Sequence, residues 1–301
     1  MRPLPADFIR NIENSFKDEG RAWLQALPSS LNQAAQRWGL TLGEPFLLSY
    51  NYVCEVKNAQ GVEMVLKAGV PNPELTSEIE TLRLYNGRGA VRLIDSDAEK
   101  GLLLEERLRP GTMLLEVQDD AQATEIAAGV MRSLWHMPPT RNRLIRLQNW
   151  FDAFRLYRQK FADAGPLPRT VIETAERWVA DVWAENEPSV VLHGDFHHYN
   201  LLRAGDGWKV IDPKGIIGPR GYEVGPLLLN PLGSFLHGLA AKQISEQRFA
   251  ILAEQLGMER SHIRGWGIAH AALSACWDLD AQGRGGEHAI HCAEVFLSTP
   301  Q

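Results

Sequence analysis

Residues 190 to 212 limit the fold of this chain more than any other segment, because they alternate apolar runs with chemically loaded turns. Val190-Val191-Leu192 reads as a buried strand, and His193-Gly194-Asp195-Phe196-His197-His198-Tyr199-Asn200 reads as a loop. Leu201-Leu202 resumes the apolar run, Ala204-Gly205-Asp206-Gly207 is a turn, and Trp208-Lys209-Val210-Ile211 is a return strand. The hairpin so formed carries Asp212 back beside Asp195 and Asn200.

The joint spacing of these three residues carries the chemistry. Singly, Asp195 reads as a turn acid, Asn200 as a turn former and Asp212 before Pro213 as a strand-ending cap. Together they suit phosphoryl transfer, which needs a carboxylate beside the attacking group and a metal to neutralise the phosphates. Asp195 is the candidate base. Asn200 and Asp212 are the candidate ligands of a divalent metal. His193, His197 and His198 make a poor zinc set, since two are adjacent and no cysteine lies near them. His288, His291 and Cys292 read as a surface helix. There is no G-x-x-x-x-G-K-[ST] loop and no G-x-S-x-G elbow, which argues against a P-loop enzyme and an esterase-type hydrolase.

The net charge of −6 disfavours a nucleic-acid partner. No apolar run approaches the ~18 residues of a membrane-spanning helix, and the first residues lack the apolar core of a secretion signal. Cys54, Cys276 and Cys292 have no staple-like spacing and are expected as buried free thiols. A cytoplasmic protein, monomer or weak homodimer, is therefore expected.

In chain order, residues 1–38 read as helical, with a break near Pro28-Ser29 and an end at Gly39. Phe46–Ser49 and Tyr52–Val56 read as strands, followed by a turn at Asn58–Gly61 and a second arm, Val62–Ala68, that carries Lys67. Taken alone, Lys67 reads as an edge-strand lysine whose stem carries its head to water. Thr76–Tyr85 reads as a helix in which Glu78 and Glu80 point to different faces. Val91–Ile94 and Gly101–Glu106 form another hairpin. Helices are expected over Glu116–Met137, Leu147–Phe161, Thr170–Trp183 (opened by a Thr170/Glu173 capping box), Gly233–Gln243, Glu246–Gln255, His262–Leu279 and Glu287–Leu297. An antiparallel sheet thus precedes a mainly helical region.

Four segments carry a resemblance to the aminoglycoside phosphotransferase family, and within it to the streptomycin and hydroxyurea kinase branch. They are the run from Leu82 to Leu93, Gly101 to Gly111, Leu192 to Asn200, and Ile211-Asp212-Pro213-Lys214-Gly215 through Gly221-Tyr222-Glu223. The resemblance implies an α+β, protein-kinase-like two-lobe fold with an antiparallel-sheet N-lobe and a mainly helical C-lobe. Residues 1–106 would form the N-terminal, nucleotide-binding lobe, and 107–301 the C-terminal lobe with catalytic loop and acceptor site. The implied activity is transfer of the ATP γ-phosphate, with Mg2+, to a hydroxyl of a small molecule. An aminoglycoside such as streptomycin, or hydroxyurea, is the first acceptor expected; choline, an amino sugar or a similar metabolite is the alternative. A nucleotide-binding scaffold without activity is a further alternative.

By the same resemblance Asp195 matches the catalytic base, Asn200 and Asp212 match the magnesium ligands, and Lys67 matches the lysine on ATP phosphates. Glu78 is the expected partner of Lys67, with Glu80 in reserve. Tyr50 and Asn51 would cover the phosphates, and Glu106, Arg107 and Leu108 would form the hinge that receives adenine. Glu223, Asp278 and Asp280 could offer charge to a cationic acceptor. Glu223 stands where aspartate is expected and Tyr199 where glycine is expected. Lys214, just past Asp212, could lean toward phosphate or pack structurally, and is left unassigned.

Overall fold

The structure is a computed structural model that describes residues 3–162, 164–232 and 239–300. Helix α1 (Ala6–Trp38) leads into β1 (Leu40–Pro45), β2 (Tyr52–Asn58) and β3 (Glu63–Ala68), then α2 (Pro73–Tyr85), β4 (Leu93–Asp97) and β5 (Leu102–Glu106). The five strands make one antiparallel sheet in the order β1-β2-β3-β5-β4. Strand alternation sorts the side chains of this sheet. Cys54, Val56, Met64, Leu66, Leu102 and Leu104 pack against Trp23, Leu27, Leu31 and Ala34 of α1. Leu103 faces the other way, into the core shared with Ile79 and Leu82 of α2. Lys67 is the register partner of Leu103 and shares that face.

After Glu106 come β6 (Pro110–Met113), α3 (Asp120–Leu134), β7 (Ile145–Arg146), α4 (Leu147–Trp150), α5 (Asp152–Phe161) and α6 (Arg169–Glu185). Then follow β8 (Ser189–Leu192), β9 (Leu201–Ala204), β10 (Gly207–Val210), β11 (Ile216–Pro219), α7 (Val224–Leu228), α8 (Leu239–Leu256), α9 (Arg260–Gln282) and α10 (Glu287–Ser298). The strands form two small sheets, β10-β9-β6 and β7-β11-β8, set among the helices. Together these elements make the α+β two-lobe, protein-kinase-like fold. The three cysteines are buried and free. No helix among the described residues is long and apolar enough to cross a membrane.

Several boundaries differ from the sequence expectation. The break in α1 falls at Lys17 (φ 51°, ψ −123°), and Pro28 lies inside the helix. Buried Trp23, Leu27, Leu31 and Ala34 continue one apolar face through Pro28 and hold the helix against the sheet despite the missing N–H. The first strand is Leu40–Pro45, paired with Val56–Asn58, whereas Phe46–Ser49 is not a strand and Leu47 is exposed. Helix α2 begins at Pro73, because Asn72 caps it by accepting from Leu75 N and proline suits the first turn. Thr170 lies inside α6, which follows Pro168, so no capping box forms; Glu173 instead accepts from Arg169 Nε at 2.6 Å. The expected helices Gly233–Gln243 and Glu246–Gln255 merge into α8 from Leu239 onward, and 233–238 lie outside the described residues.

The two lobes meet at Gly215. Its φ is +65°, its carbonyl accepts from the Ser77 hydroxyl of α2, and a Cβ built on it would lie 2.6 Å from Ser77 O and collide with the Thr81 hydroxyl. Gly215→Ala should therefore cost at least about 2 kcal/mol, combining left-handed strain with overpacking. A fall in the urea midpoint with an unchanged slope would report it; an unchanged midpoint would mean the α2 contact is not tight.

Candidate active site

Three loops, strand β3 and helix α2 bring the chemistry-bearing side chains to a cleft of about 950 Å³ between the lobes. Its walls include Tyr50, Asn51, Lys67, Glu78, Asp195, Asn200, Asp212 and Lys214. Lys67 is the deepest. Its ammonium donates to Glu78 Oε1 at 2.6 Å and to Asp212 Oδ1 at 2.9 Å, with only 2% of the side chain exposed. The lysine reaches this face by strand alternation, Glu78 by its place on α2, and Asp212 from the turn after β10. Burial opposes charge on Lys67, but Asp212 and Glu78 outweigh it and keep the ammonium protonated. Burial also pushes the Glu105 carboxyl up to about 8, against the pull of Lys67. Glu105 is thus neutral at pH 7, which limits the negative charge around a single buried cation. Glu80 is elsewhere: its carboxylate accepts from Arg143 N at 3.0 Å.

The loop between β8 and β9 is held from below. His193 Nδ1 accepts from Asp195 N at 3.2 Å, so its Nε2–H donates to Ile211 O at 2.8 Å. Burial lowers this imidazole to about 4, which keeps it neutral in that tautomer. His193 therefore ties the Asp195 loop to the strand end that carries Asp212. Asn200 donates Nδ2 to Asp195 O at 2.9 Å, which leaves its carbonyl oxygen as the free end of the amide. Ile211 N donates to Asn200 O at 2.9 Å and closes the arrangement. The left-handed φ of 58° at Asp212, rare outside glycine, turns its carboxylate into the cleft.

Burial works to raise the Asp195 carboxyl, but the hydrogen bond from His197 and the charge of Lys214 outweigh it and hold it well below the ordinary carboxylate range. His197 Nε2 lies 3.3 Å from Asp195 Oδ1. Asp212 is likewise lowered, with Lys67 outweighing burial. Both acids are ionised at neutral pH, the form in which one can accept a proton and the other can bind a cation.

A magnesium ion fits this donor set. Asn200 and Asp212 offer hard oxygen atoms on one cleft wall, and magnesium is commonly held by one or two protein oxygens with phosphates and water completing the octahedron. Among the described residues no three His, Cys, Asp or Glu side chains converge on a common metal position.

Other candidates lie outside the cleft. Glu106, Arg107 and Leu108 are absent from its walls. Glu106 accepts from Lys209 Nζ at 2.5 Å and from Arg92 N at 2.9 Å, the Arg107 guanidinium lies 4.5 Å over the Phe46 ring, and Leu108 is buried. The charges expected for a cationic acceptor are also spent elsewhere. Glu223 is fully buried and accepts from His193 N at 2.8 Å and Gly194 N at 2.9 Å, so it supports the loop from behind. Asp280 pairs with Lys160 at 3.7 Å in a separate pocket beside Trp150 and Trp277, and Asp278 lines neither that pocket nor the cleft. Sequence reading missed Ser15 and Phe16, which line the cleft from the bend in α1. Nothing in their residue types marks them.

Two measurements test this description. Glu223→Gln puts an NH2 where a backbone N–H needs an acceptor, and should cost about 1–3 kcal/mol in chemical denaturation; an unchanged stability would show that the loop does not depend on these two bonds. Burial also lowers His270, whose Nδ1 faces the Tyr222 hydroxyl at 2.9 Å, to about 4. The unfolded chain then takes the proton first, so the contribution is whole above pH ~6.5 and is lost as pH falls toward 4. Wild type should lose up to about 3 kcal/mol more than His270→Asn over that window; parallel curves would mean that His270 is not held neutral.

The similarity of the chain to known proteins spans the same elements. Residues 38–282 match the family profile described as aminoglycoside/hydroxyurea antibiotic resistance kinase. The chain is 31% identical over 300 residues to a streptomycin 6-kinase of Streptomyces glaucescens, covering 98% of this chain and 94% of that one. It is 31% identical over 305 residues to a hydroxyurea phosphotransferase of Kitasatospora aureofaciens, covering 98% and 86%. Among solved structures, a choline/ethanolamine kinase family protein from Mesorhizobium loti superposes with a TM-score of 0.64 at 15% identity, over 94% of this chain and 95% of that one.

Proposed function

The chain belongs to the aminoglycoside/hydroxyurea antibiotic resistance kinase family and is an ATP-dependent small-molecule kinase, and from that premise we propose how its cleft works and what it accepts. Asp195 takes the proton of the acceptor hydroxyl as that oxygen attacks the γ-phosphorus. Lys67, oriented by Glu78, holds the phosphates of ATP. Asn200 and Asp212 hold Mg2+, which neutralises phosphate charge when bound. Tyr50 and Asn51 cover the phosphates from the loop before β2. The main chain of Glu106-Arg107-Leu108, which leaves the end of β5, receives the adenine. In this division residues 1–106 form the nucleotide-binding lobe, and 107–301 form the lobe that carries the catalytic loop with its metal ligands and the acceptor site.

The observation that carries the reading is the placement of Lys67, Glu78, Asp212, Asn200 and Asp195 around one cleft, with Asp195 and Asp212 ionised. For the acceptor, the disposition of charge favours a small hydroxylated metabolite such as an amino sugar or amino alcohol. Of the three carboxylates that could have met a polycation, Glu223 is consumed by the loop and neither Asp278 nor Asp280 lines the cleft. A streptomycin-like aminocyclitol or hydroxyurea is the second reading, supported by what the two relatives are named for.

Asp195→Asn should lower kcat by at least about 10²-fold, the low end for loss of a general base, while nucleotide binding persists. Near-normal turnover would remove Asp195 from that role. Asp212→Asn should make nucleotide binding insensitive to added Mg2+; retained magnesium dependence would move the metal elsewhere. The acceptor is found by ADP release with Mg-ATP over amino sugars, choline, streptomycin and hydroxyurea, with mass spectrometry for the phosphorylated product. Turnover of streptomycin with none of the smaller alcohols would reverse the preferred reading.

A further inference from the structure

Lys214 enters the same cleft as Asp195 and Asp212 but takes no part in the roles assigned above. Its main chain is fixed: Lys214 N donates to His193 O at 2.7 Å and Gly215 N to the same oxygen at 3.3 Å. A Cβ built on Gly194 would lie 3.2 Å from Lys214 Cβ, so the bare Gly194 lets the lysine stem run against the Asp195 loop. The root of the side chain is therefore as well defined as that of Asp195 itself.

Its ammonium is differently placed from that of Lys67. Lys67 is sealed between two carboxylates at hydrogen-bonding distance. Lys214 Nζ lies 3.7 Å from Glu74 Oε2, and the two side chains are 41% and 56% exposed. A long, exposed pair of that kind binds weakly and yields readily to a stronger anion. The positive charge of Lys214 also acts on Asp195 and Asp212 and helps to hold both carboxyls low against burial. Lys214 thus lines the same cleft as the candidate base and the candidate metal ligand, with its stem against the loop that carries the base.

We propose that Lys214 is a second phosphate-binding cation of this cleft, which grips the terminal phosphate of a nucleoside triphosphate while Lys67 serves the inner phosphates. The proposal rests on the kinase reading. In the transfer, the acceptor oxygen forms a bond to the γ-phosphorus and gives its proton to Asp195. The bond from that phosphorus to the β,γ-bridging oxygen breaks, and its electron pair leaves with ADP. Lys214 stays protonated throughout and donates hydrogen bonds to a non-bridging γ-oxygen, where negative charge needs fixed donors. It exchanges no proton.

The test is calorimetric binding with Mg2+ and no acceptor, comparing ADP with a non-hydrolysable imido analogue of ATP. For Lys214→Met, affinity for the triphosphate analogue should fall about 10- to 100-fold, the scale of a lost charge-assisted hydrogen bond. ADP affinity should hold, which also reports that the variant is folded. Lys214→Arg should recover most of the loss. Equal loss for both nucleotides, or none for either, would overturn the proposal. Failure of the wild-type protein to bind either nucleotide would remove the kinase reading beneath it.

Discussion

One buried cation joins the halves of this molecule. Lys67 sits on β3 of the antiparallel sheet, Glu78 on α2 behind it, and Asp212 on a turn of the other lobe, and the three meet within 3 Å contacts. A buried ammonium is costly to desolvate and is retained only where carboxylates surround it. That requirement fixes the register of β3, the rotation of α2 and the position of the turn after β10 together. Glu105, held neutral by burial, keeps the cluster from carrying a third negative charge.

From this anchor the Asp195 loop is built outward by hydrogen bonds to the main chain. His193 joins the loop to Ile211, and Glu223 accepts from two successive amides at His193 and Gly194. Neither side chain faces the cleft as a reactive group. Their burial makes one neutral and raises the other to about 7, so the loop is held by directional bonds rather than by ion pairs. Asp195, Asn200 and Asp212 are then left with their free oxygens at the cleft, at positions the core has already decided.

The bend of α1 adds a wall that lies outside the family match, which starts at residue 38. Ser15 and Phe16 come to the cleft because the break at Lys17 redirects the helix, and Asn11 Nδ2 donates to Ser49 O at 3.1 Å beside Tyr50 and Asn51. The segment that reads as a cap on the sheet is thus also part of the enclosure around the loop that carries Tyr50 and Asn51.

Much of this was legible along the chain. The strand–loop–hairpin order from Val190 to Asp212 demanded that Asp195, Asn200 and Asp212 converge, because a tight turn and antiparallel pairing leave no other course. Alternation on β3 was enough to turn Lys67 away from Leu66, and Gly39 and Asn86 closed their helices in the left-handed conformation that such residues favour. What the sequence did not contain was the partner of each polar group. Glu223 and Asp280 look alike as acids near helix ends, yet one is fully buried against backbone amides and the other lies beside Lys160. Glu78 and Glu80 differ by two positions, and only the packing of α2 against the sheet sends the first to Lys67 and the second to Arg143. Local patterns determine which way a side chain leaves its strand or helix; what it meets there is set by the tertiary structure, because charge pairing acts through space between segments distant in the chain.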